Sequence, residues 1–388
     1  SVKEQAQEQL LVVMKALGIG KIVRNLKFEK AQGYTLASLF ISLLIMRLWG
    51  KTIASATSNH FHGLCAVSKN TLYRALLNAR IDWRMLLTKI TLRFHAILRE
   101  HQVNTDEHDT CAILDDTTFQ KSGIRIEGVS KVFDHVTHSF IYGMKCLTLA
   151  LSDGKSCYPI DFSLHREKGK KKDYGLTLKQ RKEQFKEKRN AKNPDYARKA
   201  ECDESKLEMA RRMLCHAVEH GINFKYVLAD SWFTCESLIQ AVRELCGGSV
   251  HYIGLTKMNP KLRYQTSKSK RPQNIHELIA RYERTASCYC RKYKCKYIQL
   301  HAKLGEQPIR IFIIKYGRST HWKVLLTTDT SMNFVRAFEL YERRWGIEVI
   351  FKECRGYLGL GKCQSRSYNA QIADTTLCFM MYQMLSLA

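Results

Sequence analysis

The apolar residues of this chain change their period near residue 110, and that change limits the fold more than any other feature. Up to about residue 100 they recur at intervals of three and four, and proline is absent, the pattern of amphipathic helices packed on one another. Beyond it come strand-like runs. "TCAILDD" reads as an apolar strand ending in two acids, and "MKCLTLALSDGKSCYPIDFSL" as a hairpin turning at Asp153-Gly154. A helix from about Ser205 to Glu219 leads to "FKYVLADSWF", a strand that delivers Asp230 at its C-terminal end. A helix (Cys235 to Cys246) and another strand (Val250 to Thr256) follow. Strands alternating with helices predict an α/β core. Residues from about 257 to 325 read mostly as β, with "IRIFIIKYG" and "WKVLLTT" the clearest strands. A helix around "YERRWGIEVIFKECR" and a closing apolar helix, "QIADTTLCFMMYQMLSLA", complete the chain.

The formal net charge of +27 on 388 residues is far beyond what solubility requires and points to a polyanion as partner. Nucleic acid fits better than anionic membrane. The most apolar run, Leu36 to Trp49, is interrupted by Arg47 and too short to span a bilayer, so it reads as a buried helix and no membrane partner is expected. No basic start followed by an apolar core and a small-residue cleavage site is visible. Fourteen cysteines are scattered over helices and strands, and only Cys288, Cys290 and Cys295 cluster. Without a second nearby pair they do not make a zinc site, and small core residues in a reducing cytoplasm is the better reading.

Two stretches look built for a nucleic-acid backbone. In "AVSKNTLYRALLNARIDW" (Ala66 to Trp83), Ser68 caps a helix that presents Lys69, Asn70, Tyr73 and Arg74 and turns Leu72, Leu76 and Leu77 inward. The second helix of a helix-turn-helix is made this way; an ordinary capped helix in a bundle is the alternative. Between Arg166 and Lys199 stand fourteen Lys or Arg against five acids, with Tyr174, Phe185 and Tyr196 interleaved. The segment is either a solvated loop or one that stays extended and poorly ordered until it tracks phosphates, with Lys170, Lys171 and Lys172 as contacts.

Against this basic background three carboxylates stand out by position. Asp116 ends a strand, Asp230 ends a later strand, and Glu348 lies on the helix after the β-rich stretch. Sites form at strand ends in α/β sheets because several backbones converge there. Acids gathered without cations repel one another, and two divalent metals would remove that repulsion and clamp a phosphoryl group for in-line transfer; Mg2+ suits all-oxygen ligands, with Mn2+ as substitute. At helical spacing Tyr341, Arg344, Glu348, Lys352 and Arg355 share one stripe, while Ile347, Ile350, Phe351 and Cys354 share an apolar one. A solvated face with an Arg344–Glu348 ion pair is the plain alternative.

These residues carry a resemblance. The chain resembles the bacterial insertion-sequence transposases with an RNase H-like core, an Asp-Asp-Glu triad and a Tyr-x2-Arg-x3-Glu-x6-Lys signature. Tyr341, Arg344 and Glu348 match that spacing, and the signature Lys falls at Arg355, which keeps the charge and can grip a phosphate bidentately. "LDDTTF" is similar to the first-strand motif, where the Asp directly before Thr-Thr is the ligand, so the resemblance prefers Asp116 over Asp115; "VLADSWF" is similar to the second and gives Asp230. The resemblance runs from about residue 105 to 365. It implies a mixed five-stranded sheet with helices, a β-rich insertion before the Glu helix, and an all-α N-terminal domain. It implies two Mg2+ ions on Asp116, Asp230 and Glu348, and DNA contacts from Tyr341 and Arg344. Trp345 is at the matching place for a residue that handles a flipped base, and Trp322 is a second stacking candidate.

The expected division is a helical DNA-binding domain over 1–105, a first core part over 106–256 that includes the basic segment 166–199, a β-rich insertion over 257–327, and a closing core part over 328–388. The expected activity is cut-and-paste transposition. The chain would bind double-stranded DNA, at element ends and target, as a homodimer in a synaptic complex, in a bacterial cytoplasm at the nucleoid. A catalytically silent descendant, a structural RNA-binding protein and a nuclease without joining activity are the rivals. Retention of all three acids argues against the first two.

Overall fold

The computed structural model describes residues 2–26, 33–56, 67–101, 109–134 and 137–387. The first hundred residues supply α1 (Val2–Ala16), α2 (Ile19–Arg24), α3 (Leu36–Leu48), α4 (Ile53–Ala56), α5 (Lys69–Leu76) and α6 (Trp83–Glu100). Thr35, Ser68 and Asp82 cap α3, α5 and α6 by accepting the backbone N–H three residues on, which satisfies donors that the first helical turn leaves free. The apolar run becomes α3, with Leu39, Phe40, Leu43 and Leu44 buried. No helix among the described residues is long and apolar enough to cross a membrane. On α5, Lys69, Asn70, Tyr73 and Arg74 are exposed and Leu72 is buried, but Leu77 is turned outward rather than inward. Residues 57–66, which the helix-turn-helix reading also needs, lie outside the described residues.

From residue 111 the chain builds one sheet. Its first strands are β1 (Cys111–Gln120), β2 (Ser130–Asp134), β3 (Ser139–Ser152) and β4 (Cys157–His165). Helices α7 (Leu178–Glu183), α8 (Pro194–Glu201) and α9 (Lys206–Glu219) follow, then β5 (Tyr226–Ala229), α10 (Glu236–Glu244) and β6 (His251–Thr256). Long β3 pairs antiparallel with β1 along one edge and with β2 and β4 along the other. Strand β5 lies parallel to β1 and β6 lies parallel to β5. The spatial order β4-β3-β1-β5-β6 makes the part of a mixed sheet that carries Asp115, Asp116 and Asp230.

The sheet does not stop there: the β-rich stretch expected before the Glu helix continues it. The next elements are β7 (Gln265–Thr266), α11 (Ile275–Tyr282), β8 (Ser287–Cys290), β9 (Cys295–Leu304), β10 (Gln307–Tyr316) and β11 (Trp322–Thr327). Strand β11 pairs antiparallel with β6, then β10 with β11 and β9 with β10, so an eleven-stranded sheet runs through the described residues. A capping box between Asn274 and Glu277 starts α11, a helix that the mostly-β reading of this stretch did not contain.

The chain ends in α12 (Phe334–Glu342), α13 (Trp345–Tyr357) and α14 (Tyr368–Leu387). The expected continuous helix over 341–355 is therefore broken at Arg343–Arg344. Arg343 is pinned there, donating to the backbone oxygen of Asp109 at 2.7 Å. Its guanidinium lies where a Cβ on Gly154 would stand, 2.8 Å away, and Gly154 has φ +93°; only glycine fits that turn. Helix α14 is buried nearly all round, against α6 and β4 among others, and joins the N-terminal helices to the core.

The basic stretch 166–199 is folded, against the expectation of an extended segment. Thr177 and Gln180 form a capping box on α7, and Arg166 stacks 3.7 Å from the centre of the Tyr174 ring. Arg189 is 6% exposed and pairs with Glu127 at 2.5 Å, Glu187 at 3.4 Å and Asp195 at 3.3 Å. Next to it, Arg84 of α6 reaches Asp161 of β4 at 2.9 Å and Glu201 of α8 at 2.5 Å. Lys170, Lys171 and Lys172 remain exposed in a turn. Removing Arg189 would leave two buried carboxylates without their cation. Arg189→Ala is expected to cost about 3–5 kcal/mol in urea unfolding and to make 166–199 the first site of tryptic cleavage.

Candidate active site

Because β1 and β5 are parallel neighbours with Leu114 opposite Ala229, the next residue of each chain stands at the same level. Those residues are Asp115 and Asp230. Asp230 directly follows β5, but β1 runs on to Gln120 in its pairing with β3, so Asp115 and Asp116 lie within the strand rather than at its expected end. Asp230 turns back on its own loop, its Oδ1 accepting the N–H of Trp232 at 2.9 Å and of Phe233 at 3.4 Å. Helix α13 packs on β1 and β4 from one side; a Cβ on Gly346 would meet the Cys157 Sγ at 2.8 Å, so the absence of a side chain there lets the helix lie close. Ile347, Ile350, Phe351 and Cys354 are its buried stripe, as their spacing predicts.

Side chains of successive strand residues point to opposite faces, and β1 divides its two acids accordingly. Asp115 faces α13. Its Oδ2 accepts from Arg344 Nη1 at 3.0 Å, and the other arm of the same guanidinium, Nη2, donates to Glu348 Oε1 at 2.5 Å. Two residues on, Thr117 Oγ1 accepts from Arg355, which also donates to the Thr118 carbonyl at 2.9 Å. Asp116 turns toward α9 and forms an ion pair with Lys206. The sequence preference for Asp116 as the partner of Glu348 thus meets a geometry in which Asp115 shares Arg344 with Glu348. Both acids nonetheless line one open cleft of about 540 Å³ with Thr117, Glu348, Phe351, Lys352 and Arg355.

The Arg344–Glu348 pair of the plain reading is present, but it is not an isolated surface pair. Arg344 is 16% exposed and bridges two acids of different elements. Burial pushes the Asp115 carboxyl up to about 7, against the pull of Arg344 and with Asp230 and Asp116 adding to the rise. Tyr341, at the end of α12, lies with its ring 5.8 Å from the Arg344 guanidinium, and burial pushes its hydroxyl up to about 12.

A second cavity, of about 440 Å³, opens on the far side of Arg344. Trp345, Tyr341, Phe338, Tyr316, Lys323 and Glu342 are among its walls. Trp345 is 63% exposed at this cavity. Trp322 is not part of it: on β11 the alternating Lys323 and Leu325 face the cavity, and Trp322 points to the opposite face, under Lys315. Tyr316 and Phe338 were not singled out in the sequence, since an aromatic in a strand or amphipathic helix reads as core. The exposed Lys69, Asn70, Arg74, Lys170, Lys171 and Lys172 line none of the cavities described here.

Carboxylate oxygens alone make a donor set for a hard divalent cation. Among the described residues no three acidic, histidine or cysteine side chains stand close enough together to hold a metal ion as they are. Instead Arg344 and Lys206 hold three of the four acids, so a metal would enter by replacing cations that occupy the same oxygens. The donors fit such an ion in kind, and Asp115, Asp116 and Glu348 share the cleft.

The raised Asp115 fixes a pH dependence. Its folded value of about 7 lies above the usual 3.8, so the folded state binds this proton more tightly than the unfolded one. An ionised Asp115 therefore costs stability as pH rises from about 4 to about 7, and by a constant amount above. Asp115→Asn is expected to raise the melting temperature at pH 8, with the gain shrinking as pH falls from 7 and absent at pH 4.

Residues 37–276 match the family model described as DDE superfamily endonuclease, and residues 197–384 match the one described as Transposase DDE domain. No curated protein matches the chain. The first match covers more than half of the sequence and includes Asp115, Asp116 and Asp230, and the second includes Glu348. Acids on β1 and directly after β5, beside a Glu-bearing helix, and these two matches agree: the chain belongs to the DDE superfamily endonucleases.

Proposed function

We propose that this protein is a cut-and-paste DNA transposase of an insertion sequence, which nicks double-stranded DNA at element ends and joins the freed end to a target. The observation that carries the reading is one open cleft holding acids from β1 and α13, next to Asp230 on the adjoining parallel strand, with cations around its rim. DDE transposase domains generally use divalent metal ions. Two Mg2+ ions, or Mn2+ in their place, held by Asp116, Asp230 and Glu348 would neutralise the acids and polarise the scissile phosphate.

The chain's own residues do the rest. Lys352 and Arg355 line the cleft and are placed to grip phosphates on either side of the scissile bond. Arg344 stands between the cleft and the aromatic cavity, so a strand crossing it passes both. Trp345, exposed and next to Tyr341 and Tyr316, offers a face on which an unstacked base can rest. Exposed lysines, among them Lys170, Lys171 and Lys172, add sequence-independent attraction for the duplex, as do Lys69, Asn70 and Arg74 on α5. Two copies would pair two DNA ends.

A second reading of the metal site is favoured by one observation: Asp115, not Asp116, shares Arg344 with Glu348. In it Asp115 takes the place of Asp116. Thiol substitution separates the two, because a cysteine ligand tolerates Mn2+ better than Mg2+. The true ligand is the position at which Asp→Cys abolishes nicking in Mg2+ and recovers it in Mn2+; the other position should show no such metal preference.

The activity itself is tested with duplexes carrying the flanking DNA of the gene. Asp230→Asn and Glu348→Gln should reduce nicking to background at every Mg2+ concentration while duplex binding persists. Lys352→Gln should instead weaken binding and reduce the slope of log affinity against log salt by roughly 0.9, with cleavage recovering as DNA is raised. Full nicking by Glu348→Gln would remove that residue from the site. Cleavage without any joined product would leave a nuclease.

A further inference from the structure

Lys206 is unused by the chemistry above, yet it touches the site twice. It is the first residue of α9, after the Ser205 cap, and its side chain is 15% exposed. The ammonium pairs with Asp116 and lies 3.9 Å from the centre of the Trp232 ring. Trp232, 43% exposed, sits on the turn in which its N–H holds Asp230 Oδ1 at 2.9 Å. One cation is thus tied directly to an acid of β1 and, through a ring and a turn, to the acid that follows β5. A purely structural ion pair has no need of an exposed indole beneath its ammonium. A cation that must leave its carboxylate does, because the ring face attracts it and keeps it at the mouth of the site.

Resting on the nuclease reading, we propose that Lys206 is a positioning residue that exchanges partners. Without metal its ammonium occupies Asp116 and the Trp232 face together; when a divalent cation takes that carboxylate, the ammonium keeps the Trp232 face and exchanges Asp116 for a phosphate of the DNA. No bond is made or broken in the exchange. Metal and DNA then strengthen each other's binding, since each removes a charge that the other would otherwise have to displace.

The test uses the whole chain with two probes, Mn2+ alone and a short duplex. Lys206→Met should bind Mn2+ about three- to tenfold more tightly than wild type in the absence of DNA, because no ammonium has to be displaced. In EDTA its duplex affinity should equal that of wild type. With Mn2+ present it should bind duplex more weakly, with a salt slope shallower by roughly 0.9, and Lys206→Arg should restore the affinity. Trp232→Leu, which keeps the ion pair, should leave Mn2+ binding unchanged and lose the Mn2+-dependent gain in duplex affinity; it serves if Lys206→Met melts below assay temperature. Unchanged or weaker Mn2+ binding by Lys206→Met overturns the inference, as does an equal loss of duplex affinity with and without Mn2+. Asp230→Asn is measured beside them. If it keeps wild-type Mn2+ binding and nicking, the nuclease reading itself is at fault. If it loses both while Lys206→Met behaves as wild type, only the role of Lys206 falls.

Discussion

Like charges on adjacent strands repel, and the organisation of the site follows from how this chain manages that repulsion. Two carboxylates 4 Å apart cost about 4 kcal/mol at an effective dielectric of 20. The parallel β1–β5 pair sets Asp115 and Asp230 level, and α13 adds Glu348 above Asp115. Each acid receives a separate answer. Arg344 bridges Asp115 and Glu348, Lys206 takes Asp116, and Asp230 turns to backbone N–H groups. The break between α12 and α13 belongs to the same solution. Arg343, at the break, is held by Asp109 before β1, while its neighbour Arg344 is left to reach the acids. Close packing of Gly346 on Cys157 then fixes how far α13 stands from the sheet.

The continuation of the sheet beyond β6 matters for the same reason. Strand β11 hydrogen-bonds to β6, which hydrogen-bonds to β5, so β10 and β11 are positioned by the same ladder that positions Asp230. A loosely tethered insertion could place Tyr316 and Lys323 anywhere. A sheet places them opposite Trp345 and Tyr341, across a cavity whose wall includes Arg344. The acids and the aromatic cavity are therefore parts of one rigid surface with Arg344 at their junction.

Much of this was legible in the sequence, and what was not has physical causes. The period change near residue 110, the hairpin at Asp153-Gly154, the strand bearing Asp230 and the buried stripe of α13 are all where patterning puts them. Caps at Ser68 and Ser205 were readable because their chemistry is local. The faces of Asp115 and Asp116 were not. Residues Cys111 to Leu114 are buried on both sides, so no alternation of polar and apolar residues tells which acid turns toward α13. Which face Trp322 takes was not legible either, since one residue along a strand reverses the face. Folding of 166–199 depends on Arg189 meeting Glu127, some sixty residues earlier, and composition carries no record of such a pairing. Lys206 gave no signal at all: a lysine after a serine cap looks like any other.

The basic excess also divides by residue type. Arg47, Arg84, Arg166, Arg189, Arg198 and Arg344 hold acids in or near the interior, and in Arg84, Arg189 and Arg344 the planar fork lets one guanidinium serve two or more carboxylates. Internal pairing consumes acids as well as arginines, so it leaves the net charge of +27 untouched and moves it outward. The surface that remains is richer in exposed lysines such as Lys170, Lys171, Lys172 and Lys352 than in acids to balance them. Lysine's compact, mobile ammonium suits an attraction that must hold a phosphate backbone without fixing its sequence, and Lys206 would use the same mobility inside the site.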